Sequence, residues 1–203
     1  MYRKDNVKDT LEHSEARDAD AALLARYASG DEAAARLLSA RLSPRAYAHA
    51  VRVLGDAAEA EDVAQEAMLR LWKKAPDWDA GRAQAATWVY RVVANLCTDR
   101  LRMRQVDTLD ETNEPADTTL SAEGRLQADA RHDALQSALL RLPDRQRQAV
   151  ILRHIEGLAN PEIAEILGVG VEAVESLTAR GKRALTADLA AQRDALGYHD
   201  DTT

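Results

Sequence analysis

Residues 160–185 read NPEIAEILGVGVEAVESLTARGKRAL, and the order of small and apolar residues within them decides the fold class. Asn160 suits a helix cap, and Pro161 suits the first helical turn, where a missing N–H costs nothing. Ile163, Ala164 and Leu167 share one short helical face before Gly168 ends it. A side chain at Gly168 would be penalised in the left-handed turn that the break requires. Val169 fills that turn, and Val171, Val174 and Leu177 return at helical spacing on a second helix, with Ala164 small where the two helices cross. The outer face of the second helix carries Glu175, Ser176, Thr178, Arg180, Lys182 and Arg183. The pattern is that of a helix-turn-helix whose recognition helix begins near Val171. A plain helical hairpin with a solvated basic end would share the charges but has no need of the Ala and Gly positions.

The rest of the chain is also helical in its signals. The 203 residues are 46% apolar but only 4% aromatic, with no Phe, so the core is built from Leu, Val, Ile and Ala. No stretch alternates with period two. Gly30 and Asp31 mark a helix stop and restart. Ser43 and Pro44 read as a cap and first turn, followed by a stripe of Tyr47, Ala50, Val51 and Leu54. Gly55 and Asp56 repeat the stop and restart, with Glu59 three residues after Asp56 as a capping box requires. A further helix from about Ala83 shows apolar pairs at 85/86, 89/90, 92/93 and 96/97, then Leu101. The fold class is therefore all-α, in two small helical domains joined by a flexible acidic linker. A tail over 1–20, a bundle over 21–104, a linker over 105–133, a helix-turn-helix domain over 134–195 and a tail over 196–203 are expected. Residues 106–133, VDTLDETNEPADTTLSAEGRLQADARHD, hold too few large apolar side chains to offset the entropy of ordering them.

The formal charge of −7 argues at first against nucleic acid. Its distribution argues otherwise, because residues 82–104 hold five Arg against one Asp, whereas residues 105–134 hold two Arg against eight Asp and Glu. Within the basic segment Trp88, Arg91, Asn95, Thr98 and Arg102 share one helical face. An aromatic ring, an amide, a hydroxyl and two guanidiniums in a stripe suit single-stranded DNA, where bases stack on rings and phosphates pair with Arg. An ordinary solvated face looks the same. Glu59, Asp62, Gln65 and Glu66 form an acidic stripe on the preceding helix, either solvated or facing a basic protein partner.

Enzymatic readings lack residues. His13, His49, His132, His154 and His199 are scattered, and the single Cys97 excludes a disulfide framework and a thiolate zinc site. Cys97 falls in an apolar band, as a buried thiol does. Catalysis, a cofactor and a metal are not expected. Lacking an apolar run long enough to span a bilayer, the chain is expected to be cytoplasmic, with no membrane insertion. A free-standing helix-turn-helix regulator with an N-terminal sensing bundle fits these features as well as a factor acting within a larger assembly.

Three segments in order, AEDVAQEAMLRLW, ATWVYRVVANLCTDRLR and the block opening LPDRQRQAV, resemble the extracytoplasmic-function group of bacterial RNA polymerase sigma factors over about residues 20–190. The resemblance implies that Asp62, Gln65 and Glu66 dock on core RNA polymerase. It implies that Arg82, Trp88, Arg91, Asn95, Thr98 and Arg102 open and hold the minus-ten element, with Asn95 at a base edge. It implies that Glu175, Ser176 and Arg180 face bases of the duplex minus-35 element, while Lys182 and Arg183 meet phosphates. An anti-sigma partner and a role in a stress or signal response are implied too. Two departures stand out: Gly170 where relatives carry a capping Ser or Thr, and an Ala-rich loop, GRAQAATW, before the minus-ten helix.

Overall fold

The computed structural model describes residues 19–79, 84–110 and 126–190, and among them every regular element is helical. They fall into two compact units, one within Met1–Val51 and Asp56–Asn95, the other within Arg52–Gly55 and Leu96–Thr203. The chain order is α1 (19–28), α2 (Glu32–Leu54), α3 (Ala57–Lys74), α4 (Ala85–Asp110), α5 (Leu126–Leu140), α6 (Asp144–Val150), α7 (Asn160–Leu167) and α8 (Val171–Ala190). Helix α4 enters the stretch assigned to a linker and α5 starts within it; the rest of that stretch and nearly all of both tails lie outside the described residues.

In the first unit the helix starts follow local side-chain chemistry. Asp31 Oδ1 accepts from the backbone N–H groups of Ala33 at 2.9 Å and Ala34 at 3.2 Å, which would otherwise be orphaned at the start of α2. Asp56 Oδ1 does the same for Glu59 at 2.8 Å, at the start of α3. The core consists of Leu24, Leu38, Leu42, Ala46 and Ala50 against Ala60, Val63, Ala67, Leu71, Val89 and Val93. Of the apolar pairs of α4, 89/90 and 92/93 are buried in full, Ala86 is half-buried, and the pair 96/97, with Leu96 half-buried, belongs to the second unit.

The break expected at Ser43 and Pro44 does not occur, and Pro44 lies inside α2. Leu38, Leu42, Ala46, Ala50 and Val53 form one buried stripe that passes straight through it. An internal proline costs about 3 kcal/mol, while each buried Leu or Val contributes roughly 1.5–3 kcal/mol, so the continuous stripe prevails. Tyr47, expected in the stripe, is instead 39% exposed.

The helix-turn-helix is present in the second unit. Gly168 ends α7 at φ +62°, and its N–H reaches the Ala164 carbonyl. Three expectations need correcting. Asn160 is already helical; the cap position is Ala159, whose N–H donates to Glu162 Oε2 at 2.9 Å. Ile166 is buried while Leu167 is only half-buried. Val171 is 41% exposed, because α8 buries its face only from Val174 onward. The close approach of α8 falls at Gly181, where a Cβ would lie 2.6 Å from Val150 Cγ2 and 3.2 Å from the Gln146 carbonyl oxygen.

Two glycines of α8 and its approach therefore predict opposite behaviour. Gly181→Val is expected to destabilise the second unit by about 1–3 kcal/mol through overpacking. Gly170→Ser, with nothing within 4 Å of its Cβ, is expected to add a few tenths of a kcal/mol as a helix cap. Urea unfolding midpoints of the two variants check both signs.

Candidate nucleic-acid interface

Helix α4 presents the basic stripe. Asn95 and Arg102 are exposed, while Trp88, Arg91 and Thr98 are half-buried; Arg82 lies outside the described residues. The Trp88 ring is held edge-to-face against Trp78, with centroids 5.9 Å apart and planes at 82°. A fixed, half-open indole with an exposed amide two helical turns along the same face can stack one base and hydrogen-bond the edge of another. Trp72 belongs elsewhere, edge-on to Tyr27 at 4.8 Å.

On α8, Glu175, Ser176, Arg180, Lys182 and Arg183 are all exposed. Arg180 Nε donates to the Ser176 carbonyl at 3.2 Å, which lays the guanidinium along its own helix. Behind this face the chain from α6 passes through a π turn, Ile151–Ile155. Arg153 Nη1 donates there to the Leu158 carbonyl at 2.9 Å. Partial burial and then the charges of Lys182 and Arg153 hold the His154 imidazolium pKa below its ordinary value.

The acidic stripe of α3 is exposed at Asp62 and Gln65 and half-exposed at Glu66. Gln65 Nε2 donates to Glu61 Oε1 at 3.3 Å. Arg70 donates to Glu66 at 2.8 Å and holds that carboxyl below the ordinary range. Beside the stripe lies a groove of about 650 Å³ lined by Tyr47, Ala64, Met68, Leu69 and Trp72, with Glu61 and Gln65 among its polar residues. Sequence reasoning missed this groove. Leu69, 53% exposed and one turn beyond Gln65 and Glu66, is the signal that could have found it.

A different set of polar groups closes the second unit. The last three carbonyls of α2 accept from side chains: Arg52 O from Gln136 Nε2 at 3.4 Å, Val53 O from Arg147 Nη1, and Leu54 O from Arg104 Nη1 at 3.1 Å. Arg147, 6% exposed, also donates to the carbonyls of Leu139 at 3.0 Å, Leu140 at 2.8 Å and Leu142 at 3.0 Å. Arg52 pairs with Glu156 at 3.0 Å, and Gln148 Nε2 donates to Thr98 Oγ1 at 3.1 Å. Thr98 of the basic stripe is thus engaged within the unit. Among the described residues no cluster could hold a metal ion, and no helix is long and apolar enough to cross a membrane.

The sigma-70 region 2 model matches residues 38–106 and the sigma-70 region 4 model matches residues 132–185. The ECF RNA polymerase sigma factor SigW of Bacillus subtilis is 34% identical over 149 residues, which cover 68% of this chain and 79% of SigW. The ECF sigma factor SigE of Mycolicibacterium smegmatis is 32% identical over 188 residues, covering 87% and 68% of the two chains. The chain belongs to the ECF RNA polymerase sigma factors. Among solved structures, CnrH of Cupriavidus metallidurans in complex with the cytosolic domain of CnrY matches at 30% identity and a TM-score of 0.63, covering 85% of this chain and 98% of that one. As a sigma factor the protein binds core RNA polymerase and directs promoter-specific transcription initiation, its region 2 serving the minus-ten and its region 4 the minus-35 element. The bundle is region 2 of this factor and not the sensing module of a free-standing regulator.

His154 gives this sigma factor a pH dependence whose sign is fixed. Its folded-state pKa is depressed, so as the pH falls the unfolded chain takes up the proton first. The stability it contributes is present above the unfolded value of 6.5 and lost as the pH drops below it. Comparing urea midpoints at about pH 7.5 and pH 5.5, the His154→Gln variant is expected to lose less stability on acidification than the parent.

Proposed function

We propose that the acidic stripe of α3, Asp62, Gln65 and Glu66, is the core polymerase docking face, with the apolar groove around Leu69 extending it. Opposite charge would orient a basic partner surface on the stripe, and buried apolar area would supply most of the affinity. Trp88, Arg91 and Asn95, with Arg82, Thr98 and Arg102, form the minus-ten strand surface. Trp88 stacks an unpaired base, and Asn95 reads an edge through its paired donor and acceptor. Extruding a base costs a few kcal/mol of stacking, which these contacts offset. In α8, Arg180 pairs with guanine and Glu175 accepts from cytosine N4, Ser176 lies between them, and Lys182 and Arg183 hold phosphates. The observation that carries this reading is the fixed, half-open Trp88 ring on the same α4 face as the exposed Asn95.

The protein acts in the cytoplasm with no catalysis of its own, in a stress or signal response and under an anti-sigma factor. Support for that control comes from CnrH, solved bound to the cytosolic domain of CnrY.

Reconstituted holoenzyme tests the assignment. Asn95→Ala is expected to leave core binding intact while reducing open complexes seen by permanganate reactivity; loss of core binding would make Asn95 structural. A double variant, Asp62→Lys with Glu66→Lys, is expected to lose core binding at unchanged thermal stability. Arg180→Ala is expected to cost about 1–3 kcal/mol at one minus-35 position; uniform loss across promoter variants would remove its base-reading role.

A further inference from the structure

Trp78 stands where the chain leaves α3, and its ring meets the indole assigned to base stacking. Local bonds fix the backbone beneath it. Ala75, which is buried, closes α3 by donating its N–H to the Leu71 and Trp72 carbonyls. A 3-10 turn follows over Ala75–Asp77, and the Trp78 N–H donates to the Ala75 carbonyl at 3.2 Å. Trp88 is seated as firmly in the first turn of α4, where its N–H donates to the Gln84 carbonyl at 2.9 Å and its helix neighbours Ala85 and Val89 are buried. Both tryptophans lie in the first unit.

Anchoring the backbone does not fix a ring, because a half-buried indole keeps two side-chain torsions. The contact that restrains Trp88 is lateral. Its ring and that of Trp78 meet edge-to-face, with centroids 5.9 Å apart and planes at 82°, the arrangement in which the electron-poor edge of one ring faces the electron-rich face of another. A pair of this kind favours one ring orientation by a factor of roughly 2–12. A base leaving the stack gains most from a ring already in place, since no torsional freedom is then lost on contact. The Trp78 indole N–H is shut off from solvent and has no hydrogen-bond acceptor among the described residues. A buried donor in that state lowers stability, so the nitrogen gives the fold nothing and the worth of the side chain lies in its ring.

We propose that Trp78 is a positioning residue of the minus-ten surface: its ring holds the Trp88 indole in the orientation that stacks an unpaired base, and it acts through Trp88 and not through a DNA contact of its own. The proposal rests on the assignment of Trp88 to the minus-ten strand.

The test uses the full chain and has two readouts. In a Trp72→Phe background, Trp78→Phe and Trp78→Leu each leave Trp88 as the sole tryptophan, so acrylamide quenching reads the freedom of that ring in the free factor. Quenching is expected to be about twofold stronger with Trp78→Leu, which removes the ring, than with Trp78→Phe, which keeps one and gives up only a donor without an acceptor. In holoenzyme, Trp78→Leu is expected to lower promoter opening, read by permanganate, at least about threefold at unchanged core affinity and urea midpoint. Trp78→Phe is expected to open promoters as the parent does, and Trp78→Leu to add nothing to the loss caused by Trp88→Ala. Equal quenching in the two variants overturns the positioning contact. So does a Trp78→Phe holoenzyme as defective as Trp78→Leu, or a Trp78→Leu loss that adds to that of Trp88→Ala. Where Trp78→Leu lowers the urea midpoint, Trp78→Met joins the series; opening that falls in step with stability across the three variants makes Trp78 structural and overturns the proposal. If Trp88→Ala leaves opening intact, the minus-ten assignment fails and the proposal falls with it, whereas a quenching difference would still stand.

Discussion

Arg147 and the C-terminal end of α2 impose the constraint on which the second unit depends. A helix end leaves its last carbonyls without intrahelical partners, and buried carbonyls in that state are costly. Here three side chains from three other helices supply the donors. A guanidinium buried to 6% exposure would itself be costly without partners, and burial is the main cause depressing its pKa. Four carbonyls and the nearby Asp144 carboxylate resolve both problems together. Five donor positions on a planar, permanently charged group make arginine the one side chain able to satisfy acceptors in several directions without losing its proton.

Around that junction the charge pattern acquires a physical sense that the net value of −7 conceals. Screening confines the influence of each exposed charge to roughly 8–10 Å at physiological salt, so a polymerase or DNA surface meets the local block and not the sum. The acidic stripe of α3 and the basic stripe of α4 can therefore serve partners of opposite sign on one small bundle. The acidic blocks would also lower the affinity of the free chain for nucleic acid, favouring DNA binding where polymerase presents both regions together.

The sequence made legible what local chemistry decides. Asp31 and Asp56 cap helices because an Asp just before an apolar-periodic run has few better options, and Gly168 turns because a side chain there would be strained. The apolar pairs of α4 at 89/90 and 92/93 are buried as spaced, while Ala86 and Leu96 are half-buried. Pro44 misled because a rule about one hydrogen bond was overridden by a stripe extending well beyond it on both sides. Val171 misled because periodicity reveals a face but not where the neighbouring helix ends. Arg147 and Gly181 were invisible: the first caps a carbonyl 94 residues away, and the second is small because of Val150 and Gln146 on another helix. Of the candidate site, the α3 stripe and the α8 face could be placed by helical spacing. The groove beside the stripe could not, since it needs Tyr47 from α2 as well as Leu69 from α3.

Weak contacts in each region would suit a factor that works only together with polymerase. The recognition helix presents Glu172 and Glu175 to a polyanion and starts at Gly170 without a side-chain cap, so region 4 alone gains little from phosphates. Two weak sites on one chain gain affinity when a scaffold fixes their separation, because the second contact then forms at an effective concentration set by geometry. A strongly binding region 4 would occupy minus-35 sequences without polymerase and forfeit that dependence. Acidic residues on the recognition helix would act in the opposite direction, lowering what region 4 gains from DNA alone and leaving the gain to contacts made together with region 2 on polymerase.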